Sequence, residues 1–193
     1  LTPNLDSLID QGAWFSQVYA TGTRTVRGIE ALLIGIPPTP GQSIVRRELG
    51  GKIFQLGSVF AKNDYYLNFI YGGHSYFDNM KSFFSDHSYQ IFDEGTFPSE
   101  EIDFANAWGV SDEDLFNQVL KIADQQKRKP FFSVVLTTSN HRPYTYPDQK
   151  VDIPSKTGRD GAIKYSDYAI GEFIKKAKTL PWFDDTLFVF VAD

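Results

Sequence analysis

Residues 19–38, YATGTRTVRGIEALLIGIPP, place three threonines (Thr21, Thr23, Thr25) and two arginines (Arg24, Arg27) directly ahead of an apolar run with helical spacing. A hydroxyl at a helix start lies in the positive end of the helix dipole, beside backbone N–H groups with no partner inside the helix. That field stabilises an alkoxide and attracts anions such as phosphate. Neighbouring guanidinium groups add permanent positive charge and bidentate contacts to phosphate oxygens. The stretch therefore reads as a nucleophile on an anion-binding helix start. These residues alone favour the plainer reading, in which Thr25 serves only as an N-cap and both arginines are solvated.

Two further residue types stand where strands run out. Asp193 follows the apolar LFVFVA, and a carboxylate there needs either a partner or a cation. Hard oxygen donors of this kind suit Mg²⁺ or Mn²⁺, while backbone N–H groups at a loop start would satisfy the acid equally well. His141 follows FFSVVLTTSN, where an imidazole is placed to hydrogen-bond a phosphate or a leaving oxygen. His74, after Gly72-Gly73, has a similar setting, whereas His87 beside Asp86 reads as surface.

The elements that must carry these residues alternate. Asn4 is placed to cap a short helix bearing Leu5, Leu8 and Ile9 and stopped by Gly12. AWFSQVYA is strand-like, Val26–Ile36 is helical up to Pro37-Pro38, and PPTPGQSIVRRELGG is a loop. KIFQLGSVFAKN is amphipathic, YYLNFIYGG is a buried strand, residues 76–86 form a helix, and SYQIFDEGTF enters a loop. Ser111 and Asp114 match a capping box for a helix with a basic tail. FFSVVLTTSN is a strand, a polar loop follows to about residue 160, and AIKYSDYAIGEFIKKAKTL is a helix before a final strand, DTLFVFVAD. Such alternation predicts an α/β layered domain with its chemistry at the carboxyl ends of parallel strands.

Composition narrows the function. A chain of 193 residues supports one sizeable core. A net charge of -5 argues against a nucleic-acid partner, which needs a basic face. The lack of cysteine excludes disulfides, zinc–thiolate sites and a thiol nucleophile. No apolar run has the length of a membrane span. The chain opens without Met and closes on a strand pattern with no turn, so residues 1–193 are expected to be an excised piece of a larger protein, cut at both ends.

Taken in order, several blocks resemble one family. LTPNLDSLIDQGAWFSQVYA is similar to the TPN-x-D-x-L-x-x-x-G-x-x-F segment of sulfatases in the alkaline phosphatase superfamily. ATGTRTVRGIEALL, GGHSYFDNM, TTSNHRPY and FVAD then resemble the lipoteichoic acid synthase and phosphoglycerol transferase branch. The resemblance implies an alkaline phosphatase/sulfatase-like α/β fold with a mainly parallel sheet flanked by helices, incomplete here, with residues 1–193 a fragment of the catalytic domain. It implies a membrane-anchored bacterial enzyme with its catalytic domain outside the cytoplasm. Such an enzyme moves phosphoglycerol from a phospholipid headgroup to a glycan or polyol-phosphate acceptor, through a phospho-threonine, on a Mn²⁺ or Mg²⁺ site.

By position Thr25 matches the nucleophile, with Thr23 one register away, and Asp193 matches the aspartate of the metal pair. Metal ligation is thus expected at Thr25 and Asp193, and substrate contacts at His141, Arg27 and His74. The family's metal glutamate and histidine have no counterpart here, so half a metal site and no transferase activity are expected of this chain. Phe77 and Asn79 stand where better-known members carry Trp and Arg. A true sulfatase would need Cys or Ser at the nucleophile, and phosphoethanolamine transferases usually carry cysteines. A non-catalytic relative that binds anionic glycans or lipids is the remaining alternative.

Overall fold

The computed structural model describes residues 1–48, 53–126 and 129–193. Three strands, β1 (Tyr66–Tyr71), β2 (Gln90–Asp93) and β5 (Phe131–Leu136), form a parallel sheet in the order β2–β1–β5. Parallel strands are covered on both faces, so they read as nearly unbroken apolar runs, and YLNFIY and FFSVVL are of that kind.

The strand repeat of two sorts these side chains into two cores. Leu67, Phe69, Tyr71, Phe132, Val134 and Leu136 point to one face, where they meet Val26, Ile29, Leu33, Phe83 and Phe84. These come from α2 (Thr25–Ile29) and its π-helical continuation to Ile34, and from α4 (Met80–Asp86). Phe60 of α3 (Leu56–Ala61) packs there too. Ile70, Phe92 and Val135 point to the opposite face, against α5 (Asp112–Gln125) and α6 (Arg159–Ala177). The result is a three-layer α/β/α arrangement. A two-residue hairpin, β3 (Ala105–Asn106) with β4 (Gly109–Val110), lies beyond the sheet.

Three elements depart from the sequence expectation. Helix α1 spans Pro3–Ile9 with Thr2, not Asn4, at its N-cap. The Asn4 side chain is engaged elsewhere: its Nδ2 donates to Asp167 Oδ2 of α6 at 2.8 Å, and its backbone N–H donates to the same oxygen at 3.0 Å. AWFSQVYA is not a strand, and neither is the 185–193 segment. A strand requires an edge to pair with, and among the described residues the sheet ends at β2 and β5. Phe15, Tyr19 and Leu187 accordingly stay 73%, 83% and 87% exposed. The end of the expected loop at Leu49, Gly50 and Gly51 and the basic helix tail at Lys127 and Arg128 lie outside the described residues. The β3–β4 hairpin was not anticipated.

The Asp167 carboxylate is buried and also accepts from the Leu5 N–H at 2.8 Å, so one side chain ties α1 to α6. Asp167→Ala leaves those donors without partners and is expected to cost about 2–4 kcal/mol in denaturant unfolding. Faster amide exchange through α1 should accompany that loss. Unchanged stability would show that the tether contributes nothing.

Candidate active site at the carboxyl edge of the sheet

Strands β1 and β5 run in register, with Tyr71 opposite Leu136, so their exits emerge side by side. The Gly72 N–H donates to the Leu136 carbonyl at 3.1 Å, and a Cβ on Gly72 would lie 3.0 Å from Thr138 Cγ2. His74 and His141 therefore leave the sheet at one edge.

The exit loop after β5 is held by Asp112, a fully buried carboxylate in the first turn of α5. Its Oδ1 accepts from the Thr138 N–H at 3.1 Å and the Ser139 N–H at 3.0 Å, and Oδ2 accepts from the Ser166 hydroxyl at 2.7 Å. Ser139 Oγ in turn accepts from the Asp112 N–H at 3.0 Å. The loop then turns through the Thr138 carbonyl, which accepts from the His141 N–H at 3.1 Å. Burial holds the His141 imidazole below the ordinary histidine range, while the carboxylates of Asp193 and Asp112 pull it upward. A neutral ring offers one donor and one acceptor.

The opposite wall is the start of α2. Arg24, extended, is its N-cap, and Thr25 is the first helical residue, half-buried, which corrects the reading of Thr25 as a cap. Gly28 is buried, and a Cβ there would lie 2.7 Å from Asp193 Cβ and 3.2 Å from its Cα. Residues three apart share a helix face. Asp193 is thus seated about one helical turn from Thr25, and its charge reaches His141.

Two expected substrate contacts are already engaged. Arg27 Nη1 pairs with the buried Glu30 at 2.9 Å, and Nη2 donates to the Gly41 carbonyl at 2.5 Å. Glu30 also accepts from the Ile44 N–H, so Arg27 braces the loop behind α2. Hydrogen bonding to Ile44 and Arg27 outweighs burial and keeps this carboxyl below its ordinary value. Arg24 is exposed and, among the described residues, its guanidinium has no hydrogen-bond or ion-pair partner. His74 lies 3.4 Å from Glu94 Oε2 and stacks on Tyr76, at the rim. Asn79, in the left-handed region at φ 62°, donates to the Val45 carbonyl at 3.2 Å. His87 is more enclosed than a surface residue: its ring nitrogens each lie 2.8 Å from a carbonyl, those of Phe83 and Ile53.

A divalent cation of the implied kind takes several hard oxygen ligands. Thr25 and Asp193 are donors of the right chemistry. Among the described residues, however, no three His, Cys, Asp or Glu side chains converge on a point that would hold an ion. The side chains on the page do not make a complete centre.

The sulfatase family model matches residues 1–193. The chain belongs to the sulfatase family. It is 28% identical over 214 aligned residues to phosphoglycerol transferase I of Escherichia coli strain SMS-3-5, covering all of this chain and 28% of that protein. A homologue of the same name from Shigella boydii serotype 18 is 27% identical with the same coverage. The chain thus spans about a quarter of the length of the curated relatives it matches. A solved structure from Vibrio parahaemolyticus, described as a protein in the alkaline phosphatase superfamily, is 44% identical. It aligns with a TM-score of 0.88 over 96% of this chain and 46% of that one. The lipoteichoic acid synthase LtaP from Listeria monocytogenes shares the fold, with a TM-score of 0.80, 23% identity, and coverage of 92% and 46%. The sulfatase family member described here thus has the α/β fold of the alkaline phosphatase superfamily, and no helix among its described residues is long and apolar enough to cross a membrane.

Sequence reasoning passed over Gly28, Asp112 and Trp108. Gly28 carried a usable signal, since glycine inside a helix costs about 1 kcal/mol and so asks for a steric reason.

Gly28→Ala should leave the helix as stable or more so, yet push Asp193 off α2. Backbone NMR chemical shifts of residues 190–193 should then move while the melting temperature holds; unchanged shifts would contradict the close approach. Because burial lowers the folded-state pKa of His141, the unfolded chain binds the extra proton first as pH falls below about 6.5. Stability should therefore drop between about pH 7.5 and pH 5.5, and His141→Asn should flatten that slope in urea unfolding.

Proposed function

We propose that this chain is part of the catalytic domain of a phosphoglycerol transferase, with Thr25 as its nucleophile. The observation that carries the reading is the seating of Asp193 on Gly28, which sets an acid beside the Thr25 helix start and within electrostatic reach of His141.

In the first half-reaction the Thr25 oxygen attacks phosphorus of a phospholipid headgroup. A Thr25 O–P bond forms, the bond from phosphorus to the diacylglycerol oxygen breaks, and the proton released from the Thr25 hydroxyl balances the one that oxygen takes up. In the second, an acceptor hydroxyl of a glycan or polyol phosphate attacks the phospho-threonine. The P–O bond to Thr25 breaks, and the proton of the attacking hydroxyl balances the released alkoxide. The helix dipole at α2 and the free guanidinium of Arg24 offset negative charge on the phosphoryl oxygens. His141, neutral at neutral pH, donates its one N–H to a phosphoryl or glycerol oxygen. His74 at the rim contacts the distal part of the substrate, and Arg27 acts by bracing Glu30 and the Gly41 loop. Thr25 and Asp193 are the oxygen donors this chain brings toward a Mn²⁺ or Mg²⁺ centre. Because the proposed donor is a membrane phospholipid, we read the enzyme's work as lying at the bacterial membrane surface, outside the cytoplasm.

Incubating the longer catalytic domain that contains this chain with a phosphatidylglycerol analogue should add one phosphoglycerol group to the Thr25 peptide, read by mass spectrometry. Thr25→Ala should abolish the adduct and lower turnover by about 1,000-fold or more. An adduct on Thr23 or another residue would move the nucleophile.

A further inference from the structure

Trp108 has no part in the reactions above, yet both its backbone and its side chain are held at this edge. It occupies the turn between β3 and β4. Asn106 Oδ1 accepts from the Trp108 N–H at 2.7 Å, and Asn106 Nδ2 donates to Thr145 Oγ1 at 2.7 Å. On the other side the Val110 N–H donates to the Gly72 carbonyl at 2.9 Å, and Gly109 adopts φ 135° to make that approach. A Cβ on Gly73 would lie 2.5 Å from the Trp108 carbonyl oxygen, so only glycine admits the turn here. The side chain is held as tightly as the backbone. The indole Nε1–H donates to the Arg142 carbonyl at 2.5 Å, and Phe77 meets the ring edge-on at 6.5 Å and 88°.

The imidazole of His141 lies flat on this fixed indole, with centroids 4.2 Å apart and planes 13° apart. Among the described residues neither ring nitrogen of His141 makes a hydrogen bond or ion pair, so the stack is the specific contact that bears on the plane of the ring. Terminal sp³–sp² torsions such as χ2 of histidine have broad wells and do not orient a ring unaided. A stack of this kind contributes modestly to the fold and favours one plane for the imidazole. It also leaves both nitrogens free for a ligand, which an orienting hydrogen bond would not.

We propose that Trp108 is a positioning residue: its indole face fixes the plane of the His141 imidazole so that a ring nitrogen is presented to the substrate without spending it on a protein partner. The inference rests on the phosphoglycerol-transfer reading for its consequence, though the stack itself is testable apart from it.

The chain has only three histidines, so each ring can be assigned by NMR through single His→Asn variants. In the wild-type chain the ring-current field of Trp108 should carry the His141 ring protons upfield. Trp108→Leu should return them to the unstacked position, and Trp108→Phe should keep part of the shift, with all three proteins melting as folded species. In the longer catalytic domain, Trp108→Leu should lower kcat about 10–100-fold with KM nearly constant, the pattern of a misaimed group. Trp108→Phe should recover most of that loss. His141 protons that do not respond to Trp108→Leu would overturn the proposal, as would a lost ring shift with kcat intact. A wild-type domain that transfers no phosphoglycerol would instead overturn the proposed function, while the ring shifts would still decide whether Trp108 orders His141.

Discussion

A buried carboxylate organises this edge of the molecule. Asp112 is shut away from water at the first turn of α5, where the helix dipole favours its charge. Its two oxygens are committed to the β5 exit loop and to Ser166 of α6. A charge in that position cannot be left with fewer partners without a large desolvation penalty, so the loop that follows β5 has one shape. The β1 exit, the β3–β4 hairpin and His141 are all fixed relative to that loop. Rigid elements thus support a site whose side chains come mostly from loops, which is where binding groups are best varied.

Close backbone approach is the second organising device. Gly72 and Gly73 admit the hairpin against β1, and Gly28 admits Asp193 against α2. In each case the missing side chain brings a functional group nearer than any other residue would permit. The site is accordingly sensitive to small added bulk at positions that touch no substrate. Packing on the two sheet faces supplies the stability that lets these contacts persist, and stacked aromatics such as Phe69 on Phe84 and Phe116 on Phe173 dominate that packing.

The sheet and its flanking helices were legible in the sequence because strand alternation and helical periodicity are local signals. YLNFIY, FFSVVL and the Ser111 cap of α5 all form as their residue types dictate, with Ser111 Oγ accepting from the Asp114 N–H at 3.2 Å. AWFSQVYA and DTLFVFVAD were misread because β-propensity describes a residue's fitness for a sheet and cannot supply the edge it pairs with. Asn4 was misread for a related reason: its partner, Asp167, is 163 residues away. At the site, Thr25 and Asp193 were visible as residue types in suggestive places, and block order supplied the family. What no local pattern revealed was the occupation of Arg27 by Glu30, or the role of Trp108, whose contacts with His141 and Arg142 are 33 and 34 residues distant.

The proposed mechanism requires Thr25, Asp193 and His141 to face one phosphoglycerol group, and a crystal structure of the longer catalytic domain with glycerol phosphate tests that most directly. Phosphorus is predicted within about 3.5 Å of Thr25 Oγ, with a ligand oxygen about 3 Å from a His141 ring nitrogen. Ligand density remote from both side chains, with Thr25 turned to the face of α2 opposite Asp193, would contradict it.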